Sequence, residues 1–333
     1  MEWTMTYYVT GATGFLGGRV VEMLLERGES VIAFGRNMDE LKRLEALGAS
    51  FVRAEITDRK ALSETIPVNS IVIHCAALST PWGKEFDYYK TNVLGTQMVA
   101  SVALEKNVQR FVHISTPSIY VEKFSREMIQ ESDPLPNEII NLYAKTKLQA
   151  EEVIDQHVEI GLPAITLRPQ GIFGPRDTAI FPRLIRVAKK GFIPVMNEHI
   201  KIDLTYVDNV VEAIFCAMNA SDECIGEKYN ITNDEPIDQL ETLDALMKRL
   251  GYPVKHKHIP VDRAWKIAAT MEWVYRKFSL KGEPLLTRYS VCTLAYTRTL
   301  NIEKAKRELG YHPKYSMKEG LERTIPWFAR SSS

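Results

Sequence analysis

The stretch Tyr7-Tyr8-Val9-Thr10-Gly11-Ala12-Thr13-Gly14-Phe15-Leu16-Gly17 sets the architecture of this chain. An apolar run, Tyr7–Thr10, reads as a strand and ends in glycines at 11, 14 and 17. A helical pattern, Gly17–Arg27, follows it. A glycine pattern says little by itself, but one that closes a strand and opens a helix at the head of a β-α series is the context of a phosphate cradle. Glycines permit the tight turn and let backbone approach a pyrophosphate, whose charge the helix N-terminus favours. Gly11, Thr13, Gly14, Phe15, Leu16 and Gly17 are thus the first candidates for cofactor binding.

Outward from this turn, strand-like runs alternate with helical ones. The strand candidates are Tyr7–Thr10, Val31–Phe34, Phe51–Arg53, Ile71–Cys75, Phe111–Ser115 and Ile165–Arg168. Most are short and apolar on both faces, which suits parallel strands covered on both sides. Between them lie helical stretches such as Asp39–Leu47, Tyr88–Glu105 and Leu142–Ile160. The alternation predicts an α/β fold, a doubly wound parallel sheet of the Rossmann kind with a smaller C-terminal α/β lobe. Residues 1–175 form the dinucleotide-binding part, with 203–232 returning to it, through short strands at Asp203–Val207 and Lys228–Ile231. Residues 176–202 and 233–333 form the substrate lobe, with helices at Phe181–Lys190, Leu240–Leu250 and Ile302–Leu309.

Composition narrows the function classes. Of 333 residues, 45% are hydrophobic, enough for a large core. Lys+Arg and Asp+Glu both number 42, so there is no basic excess to favour nucleic acid. The cysteines, Cys75, Cys216, Cys224 and Cys292, form no CxxC pair, so they read as reduced thiols and no metal site is expected. No secretory signal and no membrane-spanning run is evident, which makes the expected location cytoplasmic. Trp265–Leu280 carries Lys266, Glu272, Arg276 and Lys277 and reads as an amphipathic helix packed on the core.

The second strand runs into Arg36-Asn37. Dinucleotide folds that take NAD place an acidic residue about 20 residues on, to hold the ribose hydroxyls. An arginine instead pairs with a 2′-phosphate and stacks on adenine, so Arg36 and Asn37 point to NADP over NAD. Further along, Tyr143-Ala144-Lys145-Thr146-Lys147 sets a tyrosine and a lysine on one helix face. A free tyrosine titrates too high to serve as a base at neutral pH, and a nearby ammonium stabilises its phenolate.

Together these residues resemble the extended short-chain dehydrogenase/reductases over essentially the whole chain. The matching blocks are TGATGFLG at 10–17, HCAA at 74–77, KTNVLGT around Asn92, ISTPSIY at 114–120 and YAKTK at 143–147. LRPQGIFGP at 167–175, TYVDNV at 205–210, KYNIT at 228–232 and LGYHPKYSMKEGLERT at 309–324 continue the match. The resemblance implies Tyr143 as general acid/base and Lys147 as the group that lowers its pKa and holds the nicotinamide ribose. It implies Thr116 as the hydroxyl that polarises a substrate carbonyl and Asn92 as the residue that steadies the active-site helix. Glu55 and Ile56 would bracket the adenine, and Ala76, Ala77, Pro169 and Ile172 would line the cofactor. His74, by contrast, follows Val72 and Ile73 on a buried strand and reads as a core histidine. Asp203 and Asp208 read as structural.

Within the family, Pro117-Ser118 replaces the acidic pair of sugar 4,6-dehydratases. Gly171 and Ile202 stand where nucleotide-sugar epimerases carry an asparagine and an arginine for the substrate phosphates. LRP and GEPLLTRYSV at 282–291 look like the 3β-hydroxysteroid dehydrogenase/isomerase branch, and STPSI is similar to the 2-alkyl-3-oxoalkanoate reductases. That resemblance implies an NADP-dependent enzyme acting on a hydrophobic ketone or secondary alcohol, a β-keto acid or steroid-like substrate. Ser79, Trp82, Pro117, Ser118, Gln170, Phe181 and Tyr206 are the candidate substrate residues. A homodimer, through helices beside the sheet, is the assembly it implies. Two rival readings stay open: a nucleotide-sugar epimerase that retains NAD, and a non-catalytic NADP-binding protein.

Overall fold

The computed structural model describes residues 5–252 and 254–330. Its centre is a seven-stranded sheet built from β1 (Thr6–Thr10), β2 (Ser30–Gly35), β3 (Ser50–Arg53), β4 (Ile71–His74), β5 (Arg110–Ile114), β6 (Ala164–Pro169) and β7 (Lys228–Ile231). The spatial order is β7-β6-β5-β4-β1-β2-β3, and every neighbouring pair is parallel. The order reverses between β1 and β4, where a crevice opens beyond the carboxyl ends of the strands.

Both faces of the sheet are buried, which is why its strands read as unbroken apolar runs. Successive side chains point to opposite faces. Tyr8, Val72 and Phe111 join Val99, Ala103 and Ile154 on one side, while Val9, Ile73 and Val112 join Val20, Val210 and Ile214 on the other. The helix Val207–Met218 thus belongs to a layer against the main sheet.

Several elements depart from the sequence expectations. Of the expected strand Asp203–Val207 only Thr205–Tyr206 is a strand, outside the main sheet, and Val207 already opens a helix. Lys201–Ile202 joins a small sheet, and Thr205–Tyr206 pairs with Ile172–Phe173. The expected helix Tyr88–Glu105 begins earlier, at Glu85, and carries a π-helical stretch, Tyr89–Leu94. Arg126–Ile129 was not foreseen as a strand. It leaves the first half of the chain to join the small sheet, whose order is Ile237–Asp238, Lys201–Ile202, Arg298–Leu300, Arg126–Ile129. The amphipathic helix is Val261–Lys277, and its Ala264 and Ala268 pack with Val291. Among the described residues no helix is long and apolar enough to cross a membrane.

One buried polar cluster fixes the helix Leu142–Glu159 to the sheet. Arg168 on β6 grips Glu151 with two hydrogen bonds, Nε to Oε1 at 2.9 Å and Nη2 to Oε2 at 2.5 Å. Ser115, just after β5, donates to the same carboxylate at 2.5 Å, and Arg168 also donates to the Tyr120 hydroxyl. Glu151 is 1% exposed and Arg168 4%. Removing one member of such a pair strands the other charge in the interior. Glu151→Ala is expected to cost about 3–5 kcal/mol, read from urea unfolding. The double variant Glu151→Leu/Arg168→Met is expected to lose less. A single-variant loss under about 1 kcal/mol, as for an exposed pair, would contradict this role.

Candidate active site

The crevice at the switch point is a cleft of about 600 Å³. The glycine turn forms its floor. Gly11 has φ +69°, and a Cβ there would lie 2.7 Å from the Ala76 backbone nitrogen at the end of β4. A Cβ on Gly17 would lie 2.3 Å from the Gly11 carbonyl oxygen. The turn is closed by Gly14 N–H donating to Gly11 O at 2.9 Å. These positions exclude side chains, so bare backbone faces the cleft as a dinucleotide phosphate requires. The residues present therefore fit a nicotinamide dinucleotide.

The other sequence candidates distribute along the same cleft. Arg36, Glu55 and Ile56 line one end, beside Phe34, which the sequence did not nominate. Arg36 is exposed and stands 3.7 Å from the Glu55 carboxylate. Ala76, Ala77, Ser79, Thr116, Ser118, Tyr143, Pro169, Gln170 and Ile172 line the rest. Asn37 is outside this wall. Its side chain caps the helix Met38–Ala46 by accepting from Asp39 N at 3.0 Å, because a helix start leaves such donors unpaired.

Among the substrate candidates, Phe181 and Tyr206 prove to be core residues, each 2% exposed. Phe181 stacks between Phe173 and Phe328, and Tyr206 packs on Phe173 and Tyr315. Their aromatic surface is consumed in one core with Ile193, Leu246 and Met317. Trp82 meets Tyr275 edge-on and carries Arg276 over its ring, also outside the cleft wall. Pro117 is buried at the start of the short 3-10 turn Pro117–Tyr120. Ser79, Ser118 and Gln170 do face the cleft. So does Tyr289, which no sequence argument nominated. It lies in the GEPLLTRYSV block, and its hydroxyl bonds Ser118 Oγ at 2.9 Å across 171 residues of chain.

Hydroxyls concentrate at this end. Thr116 Oγ1 donates to Ser118 Oγ at 3.0 Å, beside the Tyr143 phenol. Burial pushes the Tyr143 phenol up to about 12, with Thr116 pulling down and Tyr289 pushing up. Asn92 is fully buried and pins the loop after β4 to the Tyr143 helix. It accepts from Leu78 N at 2.7 Å and donates to Thr146 Oγ1 at 3.0 Å.

Lys147 lies beneath the wall, 1% exposed, with Nζ 3.3 Å from His113 Nε2. Burial draws its ammonium down to about 8, against a pull upward from Glu151. Lys147 is not among the groups that set the Tyr143 acidity. Its ammonium is engaged by His113, and burial dominates the phenol. His113 stacks on His74 with ring centroids 5.5 Å apart, and His74 bridges Thr10 and Thr96 at 2.7 and 2.9 Å. His74 is thus a satisfied core histidine. Asp208 pairs with Arg19 at 2.7 Å and Asp203 accepts from Leu300 N at 2.7 Å, both structural.

A twisted parallel sheet with a glycine cradle and a Tyr-Lys helix beside it defines the NAD(P)-binding Rossmann oxidoreductases of the extended short-chain dehydrogenase/reductase type. Comparison narrows the class. The model of the 3-beta hydroxysteroid dehydrogenase/isomerase family matches residues 8–261, and the chain belongs to this family. The chain is 32% identical over 329 residues to the 2-alkyl-3-oxoalkanoate reductase of Stenotrophomonas maltophilia, covering 96% of this chain and 98% of that protein. It is 31% identical over 329 residues to the decarboxylating sterol-4-alpha-carboxylate 3-dehydrogenase of Mus musculus, covering 96% and 90%. Its fold matches the UDP-glucuronic acid 4-epimerase from Bacillus cereus, solved in complex with NAD. The TM-score is 0.76 at 24% identity, over 99% of this chain and 100% of that one.

The buried lysine has a consequence for stability. Below pH 8 the folded and unfolded chains both carry the Lys147 proton, and the fold bears the full cost of burying it. Between about 8 and the usual 10.5 the unfolded chain binds the proton that the fold has shed, so this contribution rises with pH. Lys147→Met is therefore expected to stabilise the free protein at pH 7, on the order of 1–3 kcal/mol. The advantage should shrink as pH rises through 8 towards 10.5, read as the difference in urea midpoint between variant and parent. A variant that is less stable at every pH would contradict it.

Proposed function

We propose that this protein is an NADP-dependent oxidoreductase that interconverts a ketone and a secondary alcohol on a hydrophobic, β-keto acid or steroid-like substrate. The observation that carries this reading is the hydroxyl pair Thr116–Tyr143 in the cleft wall, with Lys147 buried one helical turn behind. In this reading residues 1–175 with 203–232 hold the dinucleotide, and 176–202 with 233–333 hold the substrate. Bound along the glycine turn, the nicotinamide dinucleotide supplies the hydride.

The chain's own residues do the rest. Thr116 and Tyr143 donate hydrogen bonds to the carbonyl oxygen and stabilise the charge that develops on it. A phenol held near 12 stays protonated at neutral pH, which suits it to give its proton to the alkoxide. Lys147, an ammonium at neutral pH with its own value near 8, then stabilises the tyrosinate left behind. Asn92 keeps the Tyr143 helix in register with the loop after β4.

The rival epimerase reading is disfavoured at Gly171. Gly171, where such epimerases carry an asparagine, has no side chain to hold a phosphate and sits at φ +47°, with a Cβ there meeting the tip of the Leu204 side chain at 2.6 Å. Arg36, exposed at the cleft end, supports NADPH through its 2′-phosphate.

Tyr143→Phe is expected to lower kcat by about 10²–10⁴-fold with NADPH binding intact, followed by quenching of protein fluorescence. Near-parental kcat would remove Tyr143 from the chemistry. Arg36→Ala should erase a preference in kcat/KM for NADPH over NADH. A parent protein that prefers NADH would overturn the cofactor assignment.

A further inference from the structure

Tyr289 stands in the cleft wall and has no part in the chemistry described above. It is the second residue of the helix Arg288–Ala295, and the start of that helix is locked on both sides of it. Thr287 and Ser290 close a capping box, with Ser290 N–H donating to Thr287 Oγ1 at 3.1 Å and Thr287 N–H to Ser290 Oγ at 2.9 Å. Arg288 bonds the buried Glu272 through its backbone N–H at 2.7 Å and through Nε at 2.9 Å. A phenol carried between such anchors is fixed in place. Among the described residues its hydroxyl has one hydrogen-bond partner, Ser118 Oγ at 2.9 Å.

Ser118 in turn meets Thr116. Thr116 Oγ1 donates to Ser118 Oγ at 3.0 Å and accepts from Ser118 N–H at 3.2 Å. Thr116, Ser118 and Tyr289 thus form a chain of three hydroxyls joined by two hydrogen bonds, and each member lines the cleft. A hydroxyl has a single proton to give. In this arrangement the Thr116 proton is spent on Ser118. Thr116 can donate to a substrate oxygen only when Ser118 is supplied by another donor.

Tyr289 is placed to be that donor. A phenol donates more strongly and accepts more weakly than an aliphatic hydroxyl, which favours a bond running from Tyr289 to Ser118. Ser118 can then turn its own proton onto Thr116 Oγ1 over the same 3.0 Å. Thr116 now accepts from both the hydroxyl and the N–H of Ser118 and has its proton to give. In the reversed chain each hydroxyl donates once, and each bond polarises the next. Without the phenol, Ser118 Oγ has Thr116 as its one side-chain donor, which holds back the Thr116 proton.

We infer that Tyr289 is a positioning residue of the reaction, acting through Ser118 to aim the Thr116 hydroxyl at the substrate oxygen. This rests on the oxidoreductase reading for the reaction, but on the hydroxyl chain alone for the hold on an anionic oxygen. No covalent bond forms or breaks along the chain, and the proton that reaches the alkoxide still comes from Tyr143.

Two measurements on one set of variants test it. In steady-state NADPH oxidation with 2-decanone, Tyr289→Phe is expected to lower kcat about 3- to 10-fold, the range of one neutral hydrogen bond. KM, NADPH affinity and the thermal midpoint should keep their parental values. Thr116→Val is expected to cost about 10²–10³-fold. The double variant should lose no more than Thr116→Val alone, because the phenol acts only through that hydroxyl. In a Ser118→Ala background, Tyr289→Phe should change nothing. Losses that multiply, as a merely structural role would give, or a parental kcat in Tyr289→Phe, would overturn the role. The second measurement titrates 4-nitrophenolate into the NADP⁺-saturated protein and reads the hold on an anionic oxygen without turnover. Its affinity should fall about 3- to 10-fold in Tyr289→Phe, and no further in the double variant than in Thr116→Val. A parent that binds no phenolate, or binds it only as tightly as Tyr289→Phe does, would overturn the chain. Phenolate binding that follows the chain, in a parent that reduces no ketone, would keep it and overturn the oxidoreductase reading.

Discussion

The grip of Arg168 and Ser115 on the Glu151 carboxylate is the contact on which the site depends. Glu151 sits one helical turn beyond Lys147 and two beyond Tyr143, so the carboxylate sets both the depth and the rotation of that helix against β5 and β6. Thr116 follows Ser115 directly. Holding Ser115 to Glu151 therefore also holds Thr116 to Tyr143. The helix cannot slide by a residue without breaking two charged hydrogen bonds in an interior that offers no water to replace them.

The same burial shapes the acidities. Removed from water, the Tyr143 phenol keeps its proton and Lys147 holds its own less firmly. Tyr143 is thus poised as an acid. The apparent conflict with a lysine that activates its tyrosine dissolves once the order of events is considered. Lys147 has little to stabilise while the phenol is neutral, and its charge matters after the proton has left.

Much of this was legible in the sequence where the contacts are local. The glycine turn declares itself because Gly11 and Gly17 stand where neither has room for a side chain. Tyr143 and Lys147 share a helix face by spacing alone. Legibility failed where partners are remote or a residue type is ambiguous. Arg126–Ile129 lacks strand character and becomes a strand only by pairing with residues near 300. Tyr289 enters the site through Ser118, a partner no period can reveal. Asn37, nominated for the cofactor, is taken by a helix cap, and Phe181 and Tyr206 by an aromatic core. That Lys147 would face His113 also depends on packing between distant strands.

The most direct test of the account is NADPH oxidation by the parent protein against a panel of apolar ketones and oxo acids, with UDP-sugars as the contrast set. Stoichiometric NADPH loss with an apolar ketone, and none with any UDP-sugar, is the predicted result. Conversion of a UDP-sugar without net cofactor consumption, together with silence towards every ketone, would contradict it.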